Sequence, residues 1–182
     1  MQERKWYAFG TREVVFAALG AALYGVLSFA TNMLALPAAG NVAFRPAVCI
    51  PMFFGIAFGP WVGFISGFLG NIIGDALSGW GFWFWWDLGN GIMGLIPGFA
   101  GLLIRDFRST RSLTIADVFS ALGAIVGMLL ASLSEIWVSG VDLRTALVGY
   151  FLPAGLTNVI NGIILVPILM VAYSAITART GR

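Results

Sequence analysis

The chain has 182 residues, 59% of them hydrophobic and 10% charged, with a formal net charge of +2 and a mean hydropathy of +0.93. Soluble domains carry about 25% charged residues, so this chain has too little polar surface for water and takes lipid as its solvent. With no histidine and one cysteine, Cys49, it has no disulfide, His/Cys zinc site or Cys–His pair, so no metal or cofactor is expected; its basic residues form no patch interleaved with aromatics, which excludes nucleic acid.

The apolar stretches predict helices, because an open sheet leaves backbone groups unsatisfied in lipid. Six spans follow in chain order: 12–30, 44–58, 61–79, 87–104, 116–138 and 153–176. Together they predict an all-α integral membrane protein with a single membrane domain over 1–182. Most spans approach the roughly 20 residues that cross a hydrocarbon core. The second is too short. It holds Pro46 and Pro51 and closes on Gly59-Pro60, which suits a kinked, tilted or partly re-entrant segment. The first span exceeds a signal-peptide core in length and reads as a retained anchor. Loop 31–43 carries Pro37, Gly40 and Asn41 as turn residues. Stretch 105–115 is the main connector, and 80–86 is a short aromatic loop.

Charge orients the bundle. Arg4, Lys5 and Arg12 precede the first span. Arg105, Arg108 and Arg111 follow the fourth, and Arg179 and Arg182 follow the last. With six spans these share one side, and only Arg45 and Arg144 fall on the other. The positive-inside rule makes the rich side cytoplasmic, with both termini there, in the cell membrane.

Ionisable residues inside a membrane are costly and point to function. The candidates are Arg45, Asp75, Asp87 and Glu135, accompanied by Asn71, Asn90, Asn158 and Asn161. Asn71 and Asp75 are four apart and share a helix face; Asp87–Asn90 and Asn158–Asn161 are three apart. All fall in the outer half, on five helices, whereas the inner half is nearly free of buried polar groups. That pattern predicts a pocket accepting a polar small molecule from outside. Singly, each residue also suits helix-to-helix glue. Arg45 with Asp75 suits a structural ion pair, and Asp87 a helix cap.

The stretch WGFWFWW (80–86) suits an interfacial aromatic belt. Followed by Asp87, it also suits a stacking wall, with Trp83, Trp86 and, near Glu135, Trp137 as candidates. Stacking favours a flat heterocycle, and nearby carboxylates favour a cationic one. Small residues mark close helix contacts. Gly55, Gly59, Gly63 and Gly67 recur every four, as do Gly70 and Gly74. In the first helix Ala17–Ala21 and Ala18–Ala22 give two registers, either packing internally or facing a partner.

There is no Walker A sequence and no G-x-S-x-G elbow. A membrane-embedded enzyme acting on lipid or isoprenoid substrates through Asp75, Asp87 and Glu135 is the alternative to a binding role. With no polar path leading inward, binding and import without a motor of its own is the better expectation.

The stretch RPAVCIPMFFGIAFGPWVGFISGFLGNIIGDALSGWGFWFWWDLGNGIMGLIPG (45–98) resembles the S components, or substrate-binding subunits, of energy-coupling factor (ECF) vitamin transporters. The resemblance is notably to the branch of riboflavin or thiamine-precursor type. The resemblance lies in the turn at Gly55–Pro60, the glycine-rich third helix ending in Asp75, and the spacing from Asp87 to Gly98. It implies a six-helix fold of the S-component type, with the pocket near the outer face. It also implies partners: a transmembrane coupling subunit, met by the small-residue motif of the first helix, and a pair of cytosolic ATPases. A thiamine-like or pyrimidine heterocycle is the first expected ligand and riboflavin the second.

Overall fold

The computed structural model describes residues 10–32, 34, 36, 38, 40 and 42–179. Arg4, Lys5, Pro37, Asn41 and Arg182, invoked above, lie outside the described residues. Six α-helices account for most of the rest, and their ends follow local chemistry. Helix α1 (Thr11–Thr31) starts after Gly10, whose backbone N–H donates to Glu13 Oε2 at 3.0 Å. A 3₁₀ turn at Pro46–Val48 leads into α2 (Cys49–Phe58). Proline suits that first position because its missing N–H would be unpaired anyway. Gly59, at φ 122°, takes a backbone conformation that a Cβ disfavours, and Pro60 then opens α3 (Pro60–Leu77).

Helix α4 (Phe84–Ala100) starts and ends earlier than the expected 87–104. Phe84, Trp85 and Trp86 therefore lie on a helix rather than in a loop. Helix α5 (Thr110–Val138) starts before the expected 116. Ser109 Oγ accepts from the Ser112 N–H at 3.3 Å, satisfying one of the free donors of the first turn. A π-type segment, Thr145–Phe151, runs into α6 (Leu152–Arg179). Ahead of it, Asp142 accepts from the Thr145 N–H at 2.6 Å. This bond holds the Asp142 carboxyl below the usual carboxylate range.

Neighbours in the bundle run α1–α3–α4–α5–α6, and α2 packs among α1, α3, α4 and α6. Its Met52, Phe53, Phe54, Ile56 and Phe58 are all buried; a helix apolar on every side is a core helix. Three segments are long and apolar enough to cross a membrane: Thr11–Thr31, Thr110–Val138 and Thr145–Arg179. Pro46–Phe58 is shorter, about 20 Å at 1.5 Å per residue. The polar Asn71 and Asp75 of α3, and the 17-residue length of α4, keep these two helices out of that group. Apolar side chains line the outer faces: Val15, Leu19 and Val26 on α1, Val118 and Leu122 on α5, and Ile164 and Ile168 on α6. Exposed apolar surface on that scale belongs against lipid or a partner.

The bundle has two unlike ends. At one, Phe58 stacks on Phe16 with centroids 3.8 Å apart and meets Tyr173 edge-on at 5.8 Å. Arg12, Arg105, Arg108, Arg111 and Arg179 belong to the helix ends and connector of that side. At the other end lie the last turns of α1, α3 and α5, the first turns of α4 and α6, and the 3₁₀ turn before α2.

Candidate functional site

The polar end is organised by Arg45. Its side chain leaves the loop just before α2 and reaches three neighbours. Nε donates to Asn32 Oδ1 at 2.8 Å, one terminal nitrogen to Asn71 Oδ1 at 2.6 Å, and the other to Asp75 Oδ1 at 2.9 Å. The guanidinium also lies 5.3 Å from the Trp80 ring centroid. Asn71 completes the network by donating to Asp75 Oδ2 at 2.9 Å and to Asp87 Oδ1 at 2.8 Å. One amide therefore holds two buried carboxylates, on α3 and α4, beside one cation. Asn32 extends the network to Ser78, donating at 2.7 Å.

A second chain crosses the bundle. Tyr24 of α1, fully buried, donates to Asn90 Oδ1 at 2.6 Å. Asn90 donates to the Trp86 carbonyl at 2.9 Å, and Trp86 Nε1 to Glu135 Oε1 at 2.7 Å. Ser139 Oγ donates to the other oxygen of Glu135. These partners come from α1, α4 and the end of α5.

Between the two networks lies a cavity of about 210 Å³. Of the residues expected at a binding site, Arg45, Asn71, Asp75, Trp83, Trp86, Asn90, Glu135 and Asn158 line it. Three others do not. Asp87 is fully buried behind Asn71, and its Oδ2 has no hydrogen-bond partner. Trp137 points away and is 58% exposed, packing edge-on against Trp85 with centroids 5.5 Å apart. Two residues beyond buried Glu135, it falls on the exposed face of α5. Asn161 is buried one turn beyond Asn158, and its Nδ2 is unpaired.

The cavity also uses residues beyond those expected. Trp80 lies over Arg45, and Tyr150 faces Trp86 with centroids 6.2 Å apart at 44°. Met128 and Ser139 also line it. Trp80 was visible as part of the aromatic run. Tyr150 had no polar neighbour in sequence to mark it, and its role depends on the π-type segment that turns it inward.

The expectation of an apolar inner half also needs amending. Ser66, Ser112 and Ser120 are buried, and Asp117 Oδ1 and Ser120 Oγ lack partners. Helical serines are small enough to hide among packed side chains, so hydropathy passes over them.

The sequence profile of the family described as "ECF-type riboflavin transporter, S component" matches residues 8–175. Among curated proteins, a UPF0397 protein of Vibrio atlanticus is 35% identical over 124 residues, covering 65% of this chain and 67% of that protein. A UPF0397 protein of Photobacterium profundum is 39% identical over 121 residues, covering 64% and 65%. One from Aliivibrio salmonicida is 39% identical over 94 residues, covering 52% and 50%. The matched stretches thus span from half to two thirds of these relatives' length. With the profile matched over nearly the whole described bundle, this chain belongs to the family of ECF-type riboflavin transporter S components.

Proposed function

We propose that this chain is the substrate-binding subunit of an ATP-driven importer and captures a water-soluble vitamin or vitamin precursor at the outer face of the cell membrane. In this reading it is one membrane domain of six crossing helices with both termini cytoplasmic. The observation that carries it is the separation along the bundle: a polar, aromatic-walled cavity at one end, and Arg12, Arg105, Arg108, Arg111 and Arg179 at the other, with only Arg45 and Arg144 among the described basic residues on the cavity side. The positive-inside rule puts the arginine end in the cytoplasm, which leaves the cavity facing out. Short α2 is then tolerated at membrane depth because its neighbours surround it with protein.

The family is one of transporter subunits and not of enzymes, so the enzyme alternative is set aside.

The aromatic walls favour a flat heterocycle. A thiamine-like or pyrimidine compound is the first ligand to try and riboflavin the second. A thermal-shift series on the ligand-free, detergent-solubilised protein tests this. At a hundred times its Kd, a true ligand stabilises by about 2.7 kcal/mol. Absence of any shift across the soluble heterocyclic vitamins, in folded protein, overturns the reading.

The proposed partners are a transmembrane coupling subunit and an ATPase pair. The two alanine registers of α1 now separate. Ala17 and Ala21 are 2% and 3% exposed, on the side packed against α3. Ala18 and Ala22 are exposed among Val15, Leu19 and Val26. The second pair is therefore our candidate partner contact. Ala18→Leu or Ala22→Leu should keep ligand binding but lower uptake in cells carrying the partners by about tenfold or more, the equivalent of 1.4 kcal/mol of interface packing. Ala17→Leu should instead overpack the bundle and cost about 1–3 kcal/mol of stability. Equal uptake by the Ala18 and Ala22 variants and the parent sinks the assignment.

A further inference from the structure

Resting on the binding reading above, we infer that the substrate carries a delocalised positive charge, seated on Glu135 between Trp86 and Tyr150. Family membership does not contain this: riboflavin, the compound in the family's description, is neutral. The inference comes from the charge balance of the cavity and the geometry of its wall.

Three charged side chains line the cavity: Arg45, Asp75 and Glu135. Arg45 and Asp75 form an ion pair at 2.9 Å, the only ion pair among the described residues. The guanidinium is further held by Asn32 and Asn71 and covered by Trp80. It is thus a structural cation, already balanced. Glu135 is left as the one lining carboxylate with no counter-ion. Asp87, just behind Asn71, adds a second carboxyl rather than a cation.

Glu135 is nonetheless built to stay in place. It is 3% exposed, and both oxygens accept from neutral donors, Trp86 Nε1 and Ser139 Oγ. A carboxylate has about four lone-pair sites, so these two bonds orient it without exhausting it. The same Trp86 whose indole N–H positions Glu135 presents its ring beside Tyr150. The tilt of 44° between them opens a wedge rather than a closed stack. Aromatic faces beside a fixed, little-hydrated carboxylate recognise a soft, poorly hydrated cation. A phosphate or carboxylate on the ligand meets the opposite: an uncompensated negative charge and, among the described lining residues, no free cation. Phosphorylated vitamins should therefore be rejected.

The test is isothermal titration of the full-length, ligand-free protein in detergent. The probes are thiamine, a permanent heteroaromatic cation; hydroxymethylpyrimidine and riboflavin, both neutral; and flavin mononucleotide, an anion. Thiamine should bind about tenfold tighter or more than either neutral compound, and flavin mononucleotide should not bind. Glu135→Gln keeps the shape and one acceptor for the Trp86 N–H, while the Ser139 hydroxyl can turn to accept from the new amide instead of donating. The substitution should weaken thiamine by about ten- to a hundredfold while leaving neutral ligands within about threefold. If Glu135→Gln does not fold, as judged by its unfolding midpoint, Tyr150→Leu serves, and should weaken thiamine more than riboflavin. Tight riboflavin binding that exceeds thiamine, or thiamine binding indifferent to these changes, overturns the cationic substrate and leaves the binding role standing. No binding by any probe to folded parent protein overturns the cationic substrate, and with no shift across the wider vitamin series it overturns the binding role as well.

Discussion

Replacing Arg45 by alanine is expected to destabilise the protein by about 3–5 kcal/mol, the usual consequence of leaving one half of a buried ion pair behind. The side chains of Arg45 and Asp75 are 13% and 6% exposed, so water screens the orphaned carboxylate poorly. The loss is larger than one pair. Arg45 alone connects Asn32 at the end of α1, Asn71 and Asp75 of α3, and Trp80 beyond α3. Without it, Asn71 loses its donor and holds two carboxylates with no cation near. The unfolding midpoint in detergent should fall sharply, and ligand binding should go with it, because the same residues wall the cavity. The double variant Arg45→Met, Asp75→Leu should regain much of the stability, since no buried charge is then left unpaired by this substitution. It should not regain binding. A single Arg45→Ala variant that costs less than about 1 kcal/mol would show the pair to be solvated and nearly neutral in effect.

The Arg45–Asp75 pair was legible in the sequence because membrane charges are rare and the two sat at matching depths. The shared face of Asn71 and Asp75 was equally legible, since four-residue spacing fixes it within one helix. Legibility failed where a contact joined helices that are not neighbours in sequence. Tyr24 meets Asn90 across the bundle, and nothing in α1's own pattern distinguishes its tyrosine from its other large side chains. The alanine registers failed for a related reason. In water the buried side of a helix is the apolar one, but lipid is as apolar as the core, so hydropathy cannot say which alanines face inward. Packing against α3 decides it. Helix starts differ from the expected spans where a charged or aromatic run opens the helix: the connector's charges hid the first turn of α5, and the tryptophan run hid that of α4. Asp87 shows the limit most clearly. Its type and depth suggested a ligand contact, yet Asn71 stands between it and the cavity, a fact set by side-chain order across the α3–α4 interface.

That interface yields the other large expected effect. Gly94→Ala should cost about 3 kcal/mol or more, above the common range for overpacking. A methyl group on Gly94 would overlap the Gly63 carbonyl and come within 3.1 Å of Pro51 Cβ. In the reverse direction, a methyl on Gly63 or Gly55 would meet the Gly94 carbonyl. Helices α2, α3 and α4 therefore touch backbone to backbone at one point, and backbone has no rotamer to yield. Gly162→Ala makes the control. Its new methyl would meet Met52 Sδ at 3.0 Å, the flexible end of a side chain that can repack. The gain in helix propensity, about 1 kcal/mol, should offset that crowding, so the net change is near zero. The contrast reaches function through spacing. Gly94 lies one helical turn from Asn90, which lines the cavity and accepts from Tyr24. Prising α3 from α4 at Gly94 would pull Asn71 away from Asp87 and Tyr24 away from Asn90. Gly94→Ala should therefore lose ligand affinity as well as stability, even though residue 94 does not line the cavity. Parent-like affinity in a Gly94→Ala protein of lowered unfolding midpoint would show that the cavity does not depend on this contact.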